Sequence, residues 1–368
     1  MIIQDTNHHD VTLHDVWAHN LEEEFAKLRE IVYDYPFVAM DTEFPGVVMN
    51  PEGNFTSKAD FNYKQVQCNV NKLKLIQVGL ALVDSDGNFP PGNDIWQFNF
   101  EFSLYQDEYN TESIDVLKAA GIDFERHEHE GIRMEEFGEL LTTSGLICKE
   151  KITWITFHSG YDFGYLIKTI LNGPLPDNES SFFNFFKGYF PKSYDVKMLI
   201  RQPNTINILK GGLQECADQL QVPRIGRRHQ AGSDALLTAQ LFFKIKQLFF
   251  AENWDEVSEK VQGEMYGLGN TLSLLSIFHH LPAQLAMISN PSILLQNLCD
   301  PGMAMGIGEN GSCSPSTATL LPDVSSTEAS ATNSDSSLCK FSTTTTEEKP
   351  YTVENSNIGI HMVLESGM

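Results

Sequence analysis

Phe37-Val38-Ala39-Met40-Asp41-Thr42-Glu43-Phe44-Pro45-Gly46 opens with a short apolar run, immediately followed by two acids two residues apart. The apolar part suits a central strand, and if that strand continues through Glu43 both carboxylates project from one face, because side chains alternate along a strand. Two carboxylates side by side repel and raise each other's pKa unless a cation sits between them. Such a pair is either a metal site or a solvated strand end, and the segment alone does not choose.

The surrounding chain reads as mixed α/β. Upstream, Asn20 followed by Glu23 has the form of a capping box, and Leu21, Phe25, Leu28 and Val32 recur at helical spacing. Downstream, Leu75 to Val83, a turn at Asp84-Ser85-Asp86-Gly87 and an alternating run from Ile95 to Phe102 predict a three-strand meander with the opening strand. Helices are predicted around Ser113 to Ala120 and Met134 to Leu141, closed near Gly121 and Gly145. Ile152 to Phe157 is a further strand that turns at Gly160 into a helix near Asp162, a unit typical of a sheet flanked by helices. Two more helices fit Leu213 to Leu220 and Ser233 to Phe250, and no internal repeat is visible.

Composition sets outer bounds. The chain has 368 residues, of which 41% are hydrophobic, enough for one large core or two modest ones. From Gly306 to Lys349 it is rich in Ser and Thr and almost free of aromatic residues, so it cannot bury enough apolar surface to offset ordering entropy. The expected division is a folded domain over 1–299 and a disordered, acidic, Ser/Thr-rich tail over 300–368. The tail carries 9 acidic and 2 basic residues, so most of the net charge of −24 belongs to the folded part. That charge argues against a protein that coats nucleic acid, because affinity for long polyanions comes mostly from Lys and Arg. An acidic nucleic-acid enzyme must bind locally, with metal ions screening a few phosphates. The six cysteines form no C-x-x-C pair and read as reduced thiols. No apolar run reaches membrane-spanning length and the first residues lack a secretory leader, so the protein is expected to stay inside the cell with no membrane partner.

Two more acids stand at predicted element ends. Asp162 falls in the first turn of the helix after the Ile152 to Phe157 strand, and Asp234 opens the next long helix, with His229 five residues earlier. Each alone reads as an ordinary helix cap. Together the four acids lie at strand ends or helix starts, where functional loops of α/β folds cluster, and could meet at one rim. Hard oxygen ligands suit Mg²⁺ or Mn²⁺, and two such ions roughly 3.5–4 Å apart can hold the attacking water and the leaving oxygen of a phosphodiester. A histidine beside them, with an unperturbed pKa of about 6.5, could take the proton.

The segments Asp41-Thr42-Glu43-Phe44-Pro45-Gly46, Phe157-His158-Ser159-Gly160-Tyr161-Asp162-Phe163-Gly164-Tyr165-Leu166 and His229-Gln230-Ala231-Gly232-Ser233-Asp234 resemble, in order, the three motifs of the DEDD exonuclease superfamily in its histidine branch. More closely, from about Val11 to Leu281, the chain resembles the CAF/POP-type deadenylase subunit of the CCR-NOT complex. The resemblance implies a ribonuclease-H-like mixed sheet flanked by helices. It implies a poly(A)-specific 3′ to 5′ exoribonuclease that binds the 3′ end of single-stranded poly(A) RNA. It also implies partnership with a large scaffold subunit and a second deadenylase, in nucleus and cytoplasm. By the same resemblance Asp41, Glu43 and Asp234 hold one of two divalent metal ions (Mg²⁺ or Mn²⁺), Asp41 and Asp162 hold the other, and His229 is the base.

Other residues have a bland reading beside a functional one. Lys210, Arg224, Arg227 and Arg228 lie close in sequence to His229 and could hold RNA phosphates or form a solvated basic loop. Phe44 could stack on a terminal base or join the core. Asp195 rivals Asp162 as fourth acid but reads as structural. His158 lacks the His and Cys neighbours that zinc wants. His8, His9, His127 and His129 read as surface residues, and the Phe182-Phe183 and Phe185-Phe186 pairs as core or a partner-facing patch. The rival functions are an adaptor subunit with little activity and, more weakly, a proofreading DNA exonuclease.

Overall fold

The computed structural model describes residues 2–4 and 10–269. Strands β1 (Ile2–Gln4) and β2 (Asp10–Val16) lead through a 3₁₀ turn into helix α1 (Leu21–Ile31), followed by β3 (Phe37–Glu43) and α2 (Lys58–Lys72). Next come β4 (Gln77–Val83), β5 (Asp94–Asn99), α3 (Thr111–Ala119), α4 (Phe124–Glu130), α5 (Met134–Thr143), β6 (Thr153–Thr156) and α6 (Gly160–Leu171). The chain continues through α7 (Glu179–Tyr189), β7 (Ser193–Asp195), α8 (Val196–Leu199), α9 (Leu213–Gln219), α10 (Ala231–Phe249) and α11 (Trp254–Val261).

All seven strands form one sheet in the order β1-β2-β5-β4-β3-β6-β7. The predicted meander is β3, β4 and β5, joined antiparallel, while β6 and β7 add in parallel beyond β3. This mixed order, flanked by helices, is the ribonuclease-H-like arrangement expected. Alternation along β3 divides the core between the two faces. Val38 and Met40 pack on one side with Phe25, Leu80, Trp96 and Phe163. Ala39 packs on the other with Ala81, Ile155 and the α10 residues Leu237 and Leu241. Helix α10 lies across β3, β4, β5 and β6, whereas α6 packs with α2, α5 and α7 near β3.

The structure departs from the sequence reading at definite places. Asn20 does precede α1, but its side chain accepts from the Trp17 N–H, 2.7 Å away, and so serves the turn before the helix. The Ile95 to Phe102 run leaves the sheet after Asn99, with Phe100 bridging to Ile132. Helix α2 lies outside the sequence reading, because Asn62, Gln65 and Asn69 are buried beside Tyr63, Val66 and Val70 and blur the apolar stripe. Asn69 explains such a choice: its side chain accepts from Val48 and Met49 N–H and donates to Met49 and Gln65 carbonyls, holding the loop after β3. His127, read as a surface residue, is 1% exposed; its ring bonds the Phe100 carbonyl at 2.7 Å and stands edge-on to Trp17. Phe182 and Phe186 are core, Phe183 is half-buried, and Phe185 is exposed.

Cys68, Cys148 and Cys216 are free thiols, and among the described residues no helix is long and apolar enough to cross a membrane. The 299/300 boundary, the Ser/Thr-rich tail, His8 and His9 lie outside the described residues.

Candidate active site

Strand β3 stays regular through Glu43, so alternation puts Asp41 and Glu43 on the face with Ala39, beneath α10. Thr42 takes the opposite face, and its hydroxyl donates to Asp162 Oδ1 at 2.6 Å. Helix α6 starts from the turn after β6 and presents Asp162 in its first turn. Helix α10 presents Asp234 in its first turn, over the other face. The four acids thus reach one end of the sheet from both faces, each 5–7% exposed.

Carboxylate oxygens of Asp41, Glu43 and Asp234 lie within 4.8 Å of one another. Asp162 stands outside that trio, tied to Thr42, but acts on it electrostatically. Burial, then the charges of Asp234 and Asp162, push both Asp41 and Glu43 well above the usual carboxylate range. Burial raises Asp162 to about 7 despite its bond from Thr42, so desolvation outweighs the favourable field of the helix N-terminus. Buried acids this close are a costly arrangement without a compensating cation. Their donors are all hard oxygens on rigid element ends, and Mg²⁺ or Mn²⁺ fits that set.

One cation is supplied by the chain itself. Arg224 pairs with Asp234 Oδ1 at 2.5 Å and also bonds Gln214, the Ser233 hydroxyl and the Arg227 carbonyl. The other oxygen of Asp234 accepts the His229 N–H at 2.9 Å. His229 holds a left-handed backbone (φ 60°) that brings its amide onto Asp234. Burial lowers the imidazole pKa more than Asp234 raises it, leaving the ring neutral near pH 7 and able to accept a proton.

The model of the CAF1 family ribonuclease matches residues 16–137 and 135–242, which hold all five of these residues. This chain belongs to the CAF1 ribonuclease family. It is 59% identical over 266 residues to CCR4-NOT transcription complex subunit 7 of Caenorhabditis elegans, covering 72% of this chain and 86% of the relative. It is 48% identical to poly(A) ribonuclease pop2 of Schizosaccharomyces pombe, covering 72% and 77%. Among solved structures it is similar to S. pombe Pop2p in its Mg²⁺- and Mn²⁺-bound form, at 47% identity and TM-score 0.66, covering 70% of this chain and 99% of that one. It is also similar to CAF1 co-crystallised with the yeast NOT1 MIF4G domain, at 35% identity and TM-score 0.58, covering 69% and 96%.

In this CAF1-family ribonuclease the other candidates separate by position. Arg224 is occupied by protein partners, which makes it a support of Asp234 where the sequence suggested a phosphate contact. Lys210, Arg227 and Arg228 are exposed. Phe44 is half-buried, with one ring face stacked on Tyr161 at 4.9 Å between centroids. Asp195 is structural: it accepts from the backbone N–H of His158, Ser159, Lys197 and Tyr266 and from the Ser159 hydroxyl. His158 has a left-handed φ of 64° in that turn, edge-on to Tyr266, and joins no metal-ligating group among the described residues. Thr42 was missed although alternation implies its role, since the residue between two same-face acids must point to the other face.

Proposed function

We propose that this ribonuclease shortens the poly(A) tails of mRNA from the 3′ end, releasing 5′-AMP, as a subunit of a CCR4-NOT-type complex. The observation that carries the reading is the buried Asp41, Glu43 and Asp234 trio in a CAF1-family chain, beside a histidine that is neutral near pH 7. Asp41, Glu43 and Asp234 would hold one divalent ion, and Asp41 with Asp162 a second. Bound there, such ions activate water and neutralise charge on the phosphodiester. His229 accepts the water proton at an unprotonated imidazole nitrogen as the water oxygen bonds to phosphorus. The bond from phosphorus to the 3′-oxygen of the preceding nucleotide breaks, and that oxygen takes up a proton. Thr42 and Arg224 keep Asp162 and Asp234 in place meanwhile. Exposed Lys210, Arg227 and Arg228 are the candidates to meet phosphates further along the strand, and Phe44 to meet a terminal base.

The poly(A) substrate is supported by the relative named poly(A) ribonuclease, divalent ions by the Mg²⁺- and Mn²⁺-bound relative, and a scaffold partner by the relative solved with a NOT1 domain. A second deadenylase partner and a dual nuclear and cytoplasmic location rest on the motif resemblance. The deciding experiment incubates purified protein with 3′-adenylated RNA and the matching DNA, with Mg²⁺, Mn²⁺ or EDTA. Stepwise loss of adenylate from RNA alone, abolished by EDTA, is expected. Metal-replete protein that leaves the RNA intact would favour an adaptor, and equal digestion of DNA would remove the selectivity for RNA.

A further inference from the structure

The first N–H groups of a helix have no acceptor within it, and α10 receives no side-chain cap from Gln230. This helix start is pressed against the sheet. A Cβ at Gly79 would lie 1.8 Å from the Ala231 carbonyl oxygen, so β4 must carry glycine there. The acceptors come from neighbouring strands. Gln77 Oε1 takes the Ala231 N–H and Gln97 Oε1 the Gly232 N–H, each at 3.2 Å. Both amides are themselves fixed: Gln77 Nε2 donates to Asn99 at 2.8 Å, and Gln97 Nε2 to Gln230 Oε1 at 2.9 Å. Gln77 and Gln97 are only 2% and 4% exposed. Register gives the arrangement its meaning, because Glu43 pairs with Gln77 and Asp41 with Gly79. The two positions that carry acids on β3 are those that seat α10 on β4.

We propose that Gln77 and Gln97 are positioning residues for the reaction, holding the start of α10 so that Asp234 and the His229 amide bound to it stand in register with Asp41 and Glu43. The inference rests on the reading of Asp234 and His229 given under the proposed function. Gln97→Met, close in shape but unable to accept or donate these bonds, is compared with Ile245→Val, a buried change further along α10, and with Asp234→Ala. Three quantities are measured well below each Tm: Mn²⁺ affinity by calorimetry, and kcat and KM on adenylated RNA. Gln97→Met should weaken Mn²⁺ binding and lower kcat by about 10–100-fold with KM little changed, as loss of a support behind a metal ligand does. Ile245→Val should lower Tm and leave both unchanged. Gln97→Met that loses Tm but keeps wild-type Mn²⁺ affinity and kcat overturns the inference. If Asp234→Ala keeps them too, the reading of the site itself fails, whereas its inactivity beside an active Gln97→Met condemns the positioning role alone. Wild-type hydrogen exchange tests the same contacts if the variant does not fold. Ala231 and Gly232 amides should exchange as slowly as the helix centre, and fast exchange there overturns the inference.

Discussion

At the scale of single residues, each acid owes its behaviour to its distance from water and from the others. Asp41→Ala should abolish hydrolysis and leave the fold intact, since it removes a proposed metal ligand and mutual repulsion but little apolar area; turnover near wild type, with Tm unchanged, would contradict its assignment. Asp195→Ala tests the choice of fourth acid. It should cost stability, through five orphaned donors, before it costs chemistry, and finding it inactive at full stability while Asp162→Ala is harmless would exchange their roles. His229→Ala should lower kcat by roughly 10²–10⁴, the usual worth of a positioned base. Its Mn²⁺ affinity should survive, because the contact from residue 229 to Asp234 is a backbone N–H; affinity that collapses with the rate would make the imidazole a ligand.

Contacts between elements carry a second kind of chemistry. His14 on β2 places Nδ1 2.8 Å from Glu24 on α1 and Nε2 3.1 Å from Asp94 on β5, with its ring stacked on Trp96. The bond to Glu24, and after it that to Asp94, raises the His14 pKa above 6.5 against the opposing effect of burial. Burial pushes Glu24 up, but bonds from His14 and Lys27 more than offset it and bring its carboxyl down to about 2. A raised histidine contributes stability that is complete below its unfolded value near 6.5 and lost as pH rises through the folded one. The lowered Glu24 contributes above its unfolded value of about 4.5 and loses that as pH falls toward about 2. Both contributions are therefore present between about pH 4.5 and 6.5. Urea unfolding of His14→Asn should show a deficit of about 1.5–3 kcal/mol in that window and a smaller one near pH 8.5. An equal deficit at both would mean the ring acts through its stack on Trp96 and not through its charge. Between sheet and helix, Gly79→Ala should cost about 3 kcal/mol or more, because the new methyl meets backbone that cannot move aside. A loss below 1 kcal/mol would show that the start of α10 can lift from β4.

For the whole molecule, the five proposed catalytic residues and every described strand and helix lie before residue 270. A chain ending near residue 299 should keep its Tm and its basal hydrolysis of adenylated RNA, because Ser- and Thr-rich sequence offers little core. Phosphorylation would add charge to a segment that already carries 9 acidic and 2 basic residues, making regulation its expected use. A truncation that lowers Tm by many degrees, or silences hydrolysis without partners, would show that residues beyond 299 pack on the domain.

What the sequence determined by itself is what depends on local pattern. The β3–β4–β5 meander, the β6 to α6 unit and long α10 follow from alternation, apolar runs and turn residues, and the five site residues stand in motifs legible as text. Helix α2 escaped because Asn62, Gln65 and Asn69 interrupt its apolar face, and β2 because Asp15 breaks the alternation that Val11 and Leu13 begin. Tertiary structure decided the rest. It alone could show that Arg224 turns inward to Asp234, that Asp195 gathers a loop instead of a metal, and that Gln77 and Gln97 seat a helix more than 130 residues away. The physical reason is that a buried polar side chain is assigned its work by whichever partner relieves its desolvation. That partner comes from elsewhere in the fold, and only folding brings it within reach.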